Sequence, residues 1–341
     1  MRYGWFAKSF DARKASIRLR LLAPVALLRG RGFDIETWRP AHADAYDVLL
    51  FSKSFTRAGI ALGRAAEKAG KPIIVDICDN VFDQPEHRER SRERIVEQLR
   101  RASLVTIPTP ELGSQLAAHL PEIAPRLRLV PDMLEDLSAS SPGATGWLDR
   151  RRLERLRRFL AAHSDALHCV WFGSSRGKAA GLVHLGRALE ALDRFQPLHP
   201  VTMTVIGDEP SAASNVLRRS CVPSHYLPWS LATFGTALRL HRLALIPVQN
   251  NSFTQGKTIN RPATAILAGL GVIADPLASY EELRPFIALD DWQAGLARYA
   301  FSWQAERDRI QAAQHHLLDR YGPDAVVARW EAVLTEITGP N

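Results

Sequence analysis

The 341-residue sequence contains only three cysteines, Cys78, Cys169 and Cys221, and their spacing fits neither a metal site nor a full set of disulfides. This scarcity favours a reducing compartment and excludes a disulfide-stabilised secreted domain. Long apolar runs are also missing, because residues 21–28 are interrupted by Pro24 and a membrane span needs about 20 apolar residues. We therefore expect a cytoplasmic protein without a signal peptide or a membrane span.

Lysine is rare, at 7 of the 44 basic residues, and the net charge of +8 is unevenly distributed. Residues 1–100 carry 19 basic and 13 acidic side chains, and residues 150–158 carry six arginines and one glutamate. Such an excess of basic residues is typical of proteins that bind nucleic acid, an anionic membrane or a phosphorylated substrate. Aromatic residues do not interleave with the basic stretches, so we expect no nucleic-acid partner. Our hypothesis is peripheral association with the anionic inner face of the plasma membrane.

Short apolar segments alternate with amphipathic helical patterns through most of the chain. The predicted strands are residues 46–52, 71–77, 103–107 and 127–130, then 167–173, 201–207, 225–229, 243–248 and 271–275. Near-continuous apolar strands separated by helices indicate parallel sheets that are covered on both faces. The predicted fold class is therefore α/β, with two doubly wound Rossmann-like domains facing a cleft.

A run of small residues without periodicity, at positions 138–146, separates the two series and is the best candidate for a linker. We place the first Rossmann-like domain at residues 1–145 and the second at 164–322. A linker and basic helix occupy 146–163, and a final helix occupies 323–341. Ligands of doubly wound sheets bind at the carboxyl ends of the strands, so the chemistry is expected there.

The strongest candidate for a binding segment is residues 250–275, where a polar loop leads into a helix. Four donor side chains crowd the start of that helix: Lys257, Thr258, Asn260 and Arg261. A helix N-terminus binds phosphate through its free N–H groups and its dipole, and cations there are unfavourable unless an anion lies between them. The segment therefore predicts a phosphate site, although an ordinary capped helix with exposed basic residues is the alternative. The P-loop pattern of glycines is missing.

Three other strand ends in the second half carry small or polar residues that suit a nucleotide. Small residues let backbone approach a ligand, basic ones can hold a diphosphate, and a tryptophan can stack on a planar base. The alternatives are an ordinary glycine-rich turn and a core tryptophan. The candidates are Gly173, Ser174, Arg176, Lys178, Gly207, Asp208 and Trp229.

In the first half, Asp76 lies at the end of a predicted strand, and Asp79 and Asp83 follow it. Carboxylates at a strand end can supply a general base or hold sugar hydroxyls, or they can simply cap the following turn. Arg18 and Arg20 lie near the start of the chain, and they can meet an anionic acceptor or the phosphates of a donor, or be solvated.

Several segments, taken in order, resemble glycosyltransferases of the GT-B fold, most closely the bacterial surface-polysaccharide enzymes near glycosyltransferase family 4. The resemblance covers nearly the whole chain and is carried by the order of the motifs more than by any single one. The segments are SIRLRLLAPVALLRGRGFDI, GKPIIVDICDNVFD, LRLVPDM, VWFGSS, TVIGD, YLPW and GKTINRPATAILAGLGVIAD.

The resemblance implies transfer of a sugar from a nucleotide-sugar donor to a glycan, a lipid-linked glycan or a small acceptor. It implies no metal and no cofactor, and it favours retention of configuration. It makes residues 1–145 the acceptor domain and 164–322 the nucleotide-sugar domain, with the final helix crossing back to the first. The implied donor-binding residues are Gly173, Ser174, Arg176, Lys178, Gly207, Asp208, Trp229, Lys257, Thr258, Asn260, Arg261 and Thr264.

Asp76 and Asp79 are the predicted catalytic residues, and Arg18 and Arg20 are predicted to face the acceptor. Thr264 and Gly256 stand where members of the family usually carry glutamates. Two alternatives therefore stay open: a non-catalytic sugar-nucleotide-binding protein, and an epimerase or phosphorylase of the same fold.

Overall fold

The computed structural model describes residues 1–83, 89–139, 146–175 and 181–339. The chain divides into two compact units. Unit 1 contains Met1–Leu134, Gln255–Thr258 and Leu318–Asn341, and unit 2 contains Glu135–Thr254 and Ile259–Leu317. The short segment Gln255–Thr258 therefore belongs to unit 1 although its neighbours in sequence on both sides belong to unit 2.

Each unit is built around a six-stranded parallel sheet. The strands of unit 1 are β1 (Arg2–Ala7), β2 (Asp34–Thr37), β3 (Val48–Ser52), β4 (Ile73–Asp76), β5 (Leu104–Ile107) and β6 (Leu127–Leu129), in the spatial order β2-β1-β3-β4-β5-β6. Those of unit 2 are β7 (Leu167–Phe172), β8 (Val201–Gly207), β9 (Ser224–Pro228), β10 (Leu243–Ile246), β11 (Gly271–Ala274) and β12 (Ala288–Leu289), in the order β12-β11-β10-β7-β8-β9.

Helices connect the strands and cover both faces of each sheet. In the described residues they are α1 (Ala15–Ile17), α2 (Ala23–Gly30), α3 (Arg57–Lys68), α4 (Glu89–Arg101), α5 (Pro110–His119), α6 (Trp147–Ala161), α7 (Leu185–Phe195), α8 (Pro210–Leu217), α9 (Leu231–Leu238), α10 (Asn260–Leu267), α11 (Trp292–Phe301), α12 (Trp303–Tyr321) and α13 (Pro323–Thr338). A π-helical turn at Arg18–Leu22 joins α1 to α2. Within these described parts, none of the helices is both long and apolar enough to cross a membrane.

The alternation of side chains along each strand divides the core of unit 1 into two layers. Leu50 and Ile74 point to one face, where they pack in the same cluster as Trp330 of α13. Phe51 and Val75 point to the opposite face and belong to a second cluster. Because neighbouring residues on one strand are both buried, the strands read as continuous apolar runs, as expected for a parallel sheet covered on both sides.

The predicted fold class is confirmed, and all nine predicted strands are present. Strands β1, β2 and β12 were not predicted. β1 contains Gly4, where an added Cβ would lie 2.8 Å from the ring of Tyr46, so an aromatic ring takes the space that a side chain would fill. β2 is a partly exposed edge strand and β12 has only two residues. Most of the predicted linker, residues 140–145, lies outside the described residues.

The basic helix α6 packs within unit 2, and the final helix α13 belongs to unit 1. The predicted domain bounds and the cleft stay predictions.

Candidate sites at the carboxyl ends of the two sheets

The sheet of unit 2 reverses its direction of winding between β7 and β10. From β7 the chain adds β8 and β9 on one side, whereas β10, β11 and β12 follow on the other. Ligands of doubly wound sheets bind outside the carboxyl ends of the strands at such a point. Two segments flank it here: the loop that begins at Gly173, directly after β7, and the start of α10 at Asn260.

The loop after β7 is held against the turn after β8. Gly173 has a φ of +155°, which side-chain-bearing residues rarely adopt. The N–H of Ser175 donates to Asp208 Oδ1 (2.6 Å), and Ser174 Oγ donates to Asp208 Oδ2 (3.3 Å). A Cβ on Gly207 would lie 2.6 Å from Ser175 Oγ, so a larger residue here would require the Ser175 side chain to move. Four predicted donor residues are thus brought together, with Asp208 fixing the loop.

Arg261, on the first turn of α10, packs its guanidinium against Gly173. A Cβ on Gly173 would lie 2.8 Å from Arg261 Nη2, and Arg261 Cζ lies 5.8 Å from the centre of the Trp171 ring. No carboxylate pairs with Arg261 among the residues that the structure describes. Burial lowers the pKa of this guanidinium, and nearby Tyr280 partly opposes the shift. A partly buried cation of this kind is unfavourable without an anion, so the arrangement suits an anionic ligand.

Asn260 and Thr264 lie on the same helix as Arg261. The hydroxyl of Thr264 donates to the backbone carbonyl of Asn260 (2.6 Å), and its side chain is buried. Thr264 is therefore bonded into its own helix. Its predicted contact with a donor stays a prediction.

Trp229 follows β9 and adjoins the turn at Gly207. Its backbone N–H donates to the carbonyl of Gly207 (2.8 Å), which also accepts from the hydroxyl of Tyr226 (2.8 Å). The Trp229 ring is half-buried, 6.2 Å from the ring of Phe234. The predicted base platform is thus close to the predicted phosphate loop. Arg176 and Lys178, which were predicted for the same site, lie outside the described residues.

A buried ionic network lies at the carboxyl ends of β4, β5 and β6 in unit 1. Arg20 donates through Nε to Asp76 Oδ1 (3.0 Å) and through Nη1 to Asp132 Oδ1 (2.7 Å). Thr106 Oγ1 also donates to Asp76 Oδ1 (2.8 Å), and Val130 O accepts from Arg20 Nη1 (2.9 Å). Burial alone would lower the pKa of Arg20, but the two carboxylates raise it above its ordinary value.

Arg20 and Asp76 are only 2% and 1% exposed, respectively. Their hydrogen bonds are made to each other and to the surrounding core, so the geometry favours positioning roles for both. The predicted contact of Arg20 with an acceptor and the predicted catalytic role of Asp76 stay predictions. Arg18, the other predicted acceptor residue, is half-buried and donates to the carbonyl of Ala12 (2.6 Å).

Asp79 lies between two lysines in unit 1. It forms ion pairs with Lys53, directly after β3, and with Lys257. Lys53 has a φ of +42°, a left-handed conformation that is uncommon for residues other than glycine. Burial raises the pKa of Asp79, but the lysines outweigh it and hold the pKa well below its usual range. An ionised carboxylate between two ammonium groups is a poor proton acceptor, so this geometry favours Asp79 as the residue that positions Lys257.

The segment Gln255–Thr258 is held in unit 1 by two further hydrogen bonds. Thr258 Oγ1 donates to Asp132 Oδ2 (2.9 Å), and Thr109 Oγ1 donates to the carbonyl of Gly256 (3.2 Å). A Cβ on Gly256 would lie 2.8 Å from Gln115 Oε1, so a glutamate at this position would not fit without rearrangement. Of the four residues predicted as one phosphate site, Lys257 and Thr258 are therefore bonded within unit 1.

We expect Asp79→Asn to make the stability of the protein less dependent on pH. The folded-state pKa of Asp79 lies below the value of about 3.9 for an unfolded aspartate. The carboxylate therefore stabilises the fold above the unfolded pKa, and this contribution is lost as the pH falls toward the folded pKa. The difference in urea-unfolding free energy between wild type and Asp79→Asn should narrow from pH 6 to pH 3. The exposed Asp308→Asn is the control; a difference that stays constant over this range would contradict the prediction.

Three residues of these sites were not predicted from the sequence: Lys53, Thr106 and Asp132. Lys53 and Asp132 follow predicted strands and Thr106 is the penultimate residue of one, which is where functional side chains of parallel sheets collect. Their positions near strand ends are visible in the sequence. A single lysine, threonine or aspartate at a strand end is common, however, and does not by itself indicate a functional residue. Asp132 in particular joins Arg20 to Thr258, and nothing local in the sequence indicates either partner.

Comparison with known proteins gives a match in structure but not in sequence. No family model and no curated protein matches the chain. Among solved structures, Anabaena HepE in complex with UDP superposes with a TM-score of 0.68 at 16% identity, covering 98% of this chain and 100% of HepE. The complex of HepE with UDP-glucose gives 0.67 at 15% identity, with the same coverage. A UDP-forming α,α-trehalose-phosphate synthase from Burkholderia xenovorans gives 0.63 at 12% identity, covering 86% of this chain and 75% of the synthase.

These likenesses establish the fold. The chain has the GT-B fold, with two Rossmann-like α/β units that each contain a parallel six-stranded sheet. The predicted GT-B fold is therefore confirmed, whereas membership of glycosyltransferase family 4 stays a prediction.

Proposed function

We propose that this chain is a glycosyltransferase that transfers a sugar from a UDP-sugar to an acceptor. The observation that carries the proposal is Arg261, a partly buried guanidinium at the start of α10 that packs against Gly173 and has no carboxylate partner among the described residues. The similar structures support the choice of base, because HepE was solved with UDP and with UDP-glucose and the Burkholderia synthase is UDP-forming.

In the proposed reaction the main task of unit 2 is to stabilise the departing diphosphate. Arg261 and the free N–H groups at the start of α10 supply positive charge where negative charge develops. Gly173 and Gly207 let the backbone approach the donor closely. Asp208, next to Gly207, holds the loop that begins at Gly173 in place. Each charge-assisted hydrogen bond to phosphate contributes about 1.5–3 kcal/mol. These groups support a mechanism in which no metal is needed to bind the diphosphate.

In unit 1 the proposed donor residues are Lys257 and Thr258, held by Asp79 and Asp132. Asp76 and Asp79 are proposed to act from the carboxyl ends of the strands, where they fix the orientation of Arg20 and Lys257. Retention of configuration and a glycan, lipid-linked or small acceptor also belong to the proposal. Their support is the resemblance of the sequence motifs.

A second candidate is a sugar-nucleotide-binding protein without transferase activity. It is favoured by the two positions at which related enzymes usually carry glutamate. Thr264 is bonded into its own helix, and a larger residue at Gly256 would require the side chain of Gln115 to move. Tight binding of a UDP-sugar without release of UDP, in the presence of any acceptor, would select this candidate. Product formed without an acceptor would instead indicate an epimerase, or a phosphorylase if phosphate is required.

A thermal-shift screen against UDP-, GDP-, ADP-, dTDP- and CMP-linked sugars tests the donor. We expect the largest increase in melting temperature with a UDP-sugar, because a ligand that binds only the folded state stabilises it by an amount that grows with the ratio of its concentration to its Kd. UDP alone should reproduce most of the increase, since Arg261 is proposed to bind the diphosphate. A screen in which no nucleotide raises the melting temperature would contradict the proposal.

Peripheral association with the inner face of the plasma membrane is the proposed location. Its support is the surplus of basic residues in positions 1–100 and 150–158. Flotation with anionic and neutral liposomes tests it, and equal recovery with both would contradict it.

A further inference from the structure

A cavity of about 390 Å³ in unit 2 lies at the β9 edge of the sheet, between α6, β9 and the start of α8. Three arginines of α6 line it, together with two aromatic side chains of β9: Arg151, Arg152, Arg155, His225 and Tyr226. Leu148 and other apolar residues complete the wall. None of the predicted donor-binding residues lines this cavity.

The arginines face the cavity because the apolar stripe of α6 faces the core. Leu153, Leu156 and Leu160 are buried at helical spacing. Positions 151, 152 and 155 lie beside that stripe, where α6 adjoins β9, and three cations are thereby brought to one side of the helix. The basic run in the sequence is thus converted into a concave, positively charged surface.

The positive charge of the cavity is only partly balanced. Asp149 pairs with Arg152 (3.1 Å), and its other oxygen accepts from Ser230 Oγ (3.1 Å). Arg151 and Arg155 have no carboxylate partner within the described ranges. Burial lowers the pKa of His225, and Arg155 lowers it further, as expected where positive potential is high.

The chemistry and the shape of the cavity favour a phosphate as the anion. Guanidinium groups match the geometry of phosphate oxygens through paired N–H donors, more closely than a point charge does. Arg151 is also oriented, because its guanidinium carbon lies 4.0 Å from the centre of the Trp147 ring. The ring of His225 stacks on Phe159 with centroids 5.3 Å apart, which gives the cavity a flat, fixed wall. Its volume is that of a small-molecule site.

We propose that this cavity binds a phosphoryl group, either of a soluble phosphate compound or of a phospholipid headgroup. The inference does not depend on the donor site, because it uses different residues. Arg151 and Arg155 supply the donors, and Arg152, which pairs with Asp149, lines the same wall.

The test compares two double variants of the full chain that remove the same charge. Arg151→Gln/Arg155→Gln alters the cavity, and the control Arg158→Gln/Arg307→Gln alters exposed positions on α6 and α12 that do not line it. Inorganic pyrophosphate is titrated by calorimetry in an Arg261→Ala background, which removes the proposed phosphate site of the donor, and co-sedimentation is measured with phosphatidylglycerol and phosphatidylcholine vesicles. Melting temperatures of both variants confirm that they fold.

We expect the cavity variant to lose at least tenfold in affinity for pyrophosphate or for phosphatidylglycerol vesicles, and the control to keep wild-type affinity. Loss confined to pyrophosphate identifies a soluble phosphate compound, and loss confined to the vesicles identifies a lipid headgroup. No binding of either probe while the cavity is intact, or equal effects in the two variants, would overturn the proposal. Titration of UDP into wild type is a separate measurement. An absence of UDP binding would contradict the proposed donor site without affecting the test of the cavity.

Discussion

Arg261→Ala should weaken the binding of UDP by about 100-fold, with little loss of stability. The guanidinium has no carboxylate partner in the described part of the chain, and it packs against Gly173 where the winding of the sheet reverses. Two charge-assisted hydrogen bonds to a diphosphate contribute about 3 kcal/mol or more together, and each 1.4 kcal/mol is a factor of ten in affinity. Isothermal titration with UDP measures the effect.

Two further variants separate recognition from simple charge. Arg261→Lys keeps the positive charge but loses the paired donors, so it should recover only part of the affinity. Arg307→Ala removes an exposed arginine of the same unit and should bind UDP as wild type does. Equal affinity for UDP in wild type and Arg261→Ala would remove the phosphate site on which the proposed function rests.

Arg20→Met should destabilise unit 1 by about 3–5 kcal/mol. The substitution leaves Asp76 and Asp132 buried without their cation, and an unpaired buried charge costs far more than the net value of the pair. Hydrogen exchange of the β4 and β5 amides in the full chain reports the free energy of opening of this unit without requiring both units to unfold together. Arg18→Met, two positions earlier and half-buried, should cost less than about 1 kcal/mol.

The triple variant Arg20→Met/Asp76→Asn/Asp132→Asn distinguishes charge from packing. Because it removes both carboxylates along with the guanidinium, it should regain a large part of the stability that Arg20→Met loses. It should nevertheless lose the proposed transferase activity, since Thr258 then bonds to a neutral amide and the position of its segment is no longer set by Asp132. A triple variant that is as unstable as Arg20→Met would show that packing, and not unpaired charge, explains the loss.

Some features of the site were accessible to sequence analysis for a clear physical reason. A glycine at a strand end, as at Gly173 and Gly207, marks backbone that must adopt an unusual φ or approach another segment closely. Arg261 at the start of a helix was predicted as an anion ligand on the same local grounds. The pairing of Asp79 with Lys53 and Lys257 could not be predicted, because these residues are 26 and 178 positions away from it.

The local structure and the fold class follow from patterns along the chain. Burial on both faces of a parallel strand demands a continuous apolar run, and burial on one side of a helix demands a stripe, so both leave a pattern along the chain. The partners of the charged side chains, in contrast, are set by the three-dimensional fold. It placed Arg20 in the core between two carboxylates, and it attached Gln255–Thr258 to unit 1. It also turned the basic run of α6 into one wall of a cavity. Such pairings depend on where the ends of distant strands and helices converge in space, and the periodicity of a single segment carries no information about that.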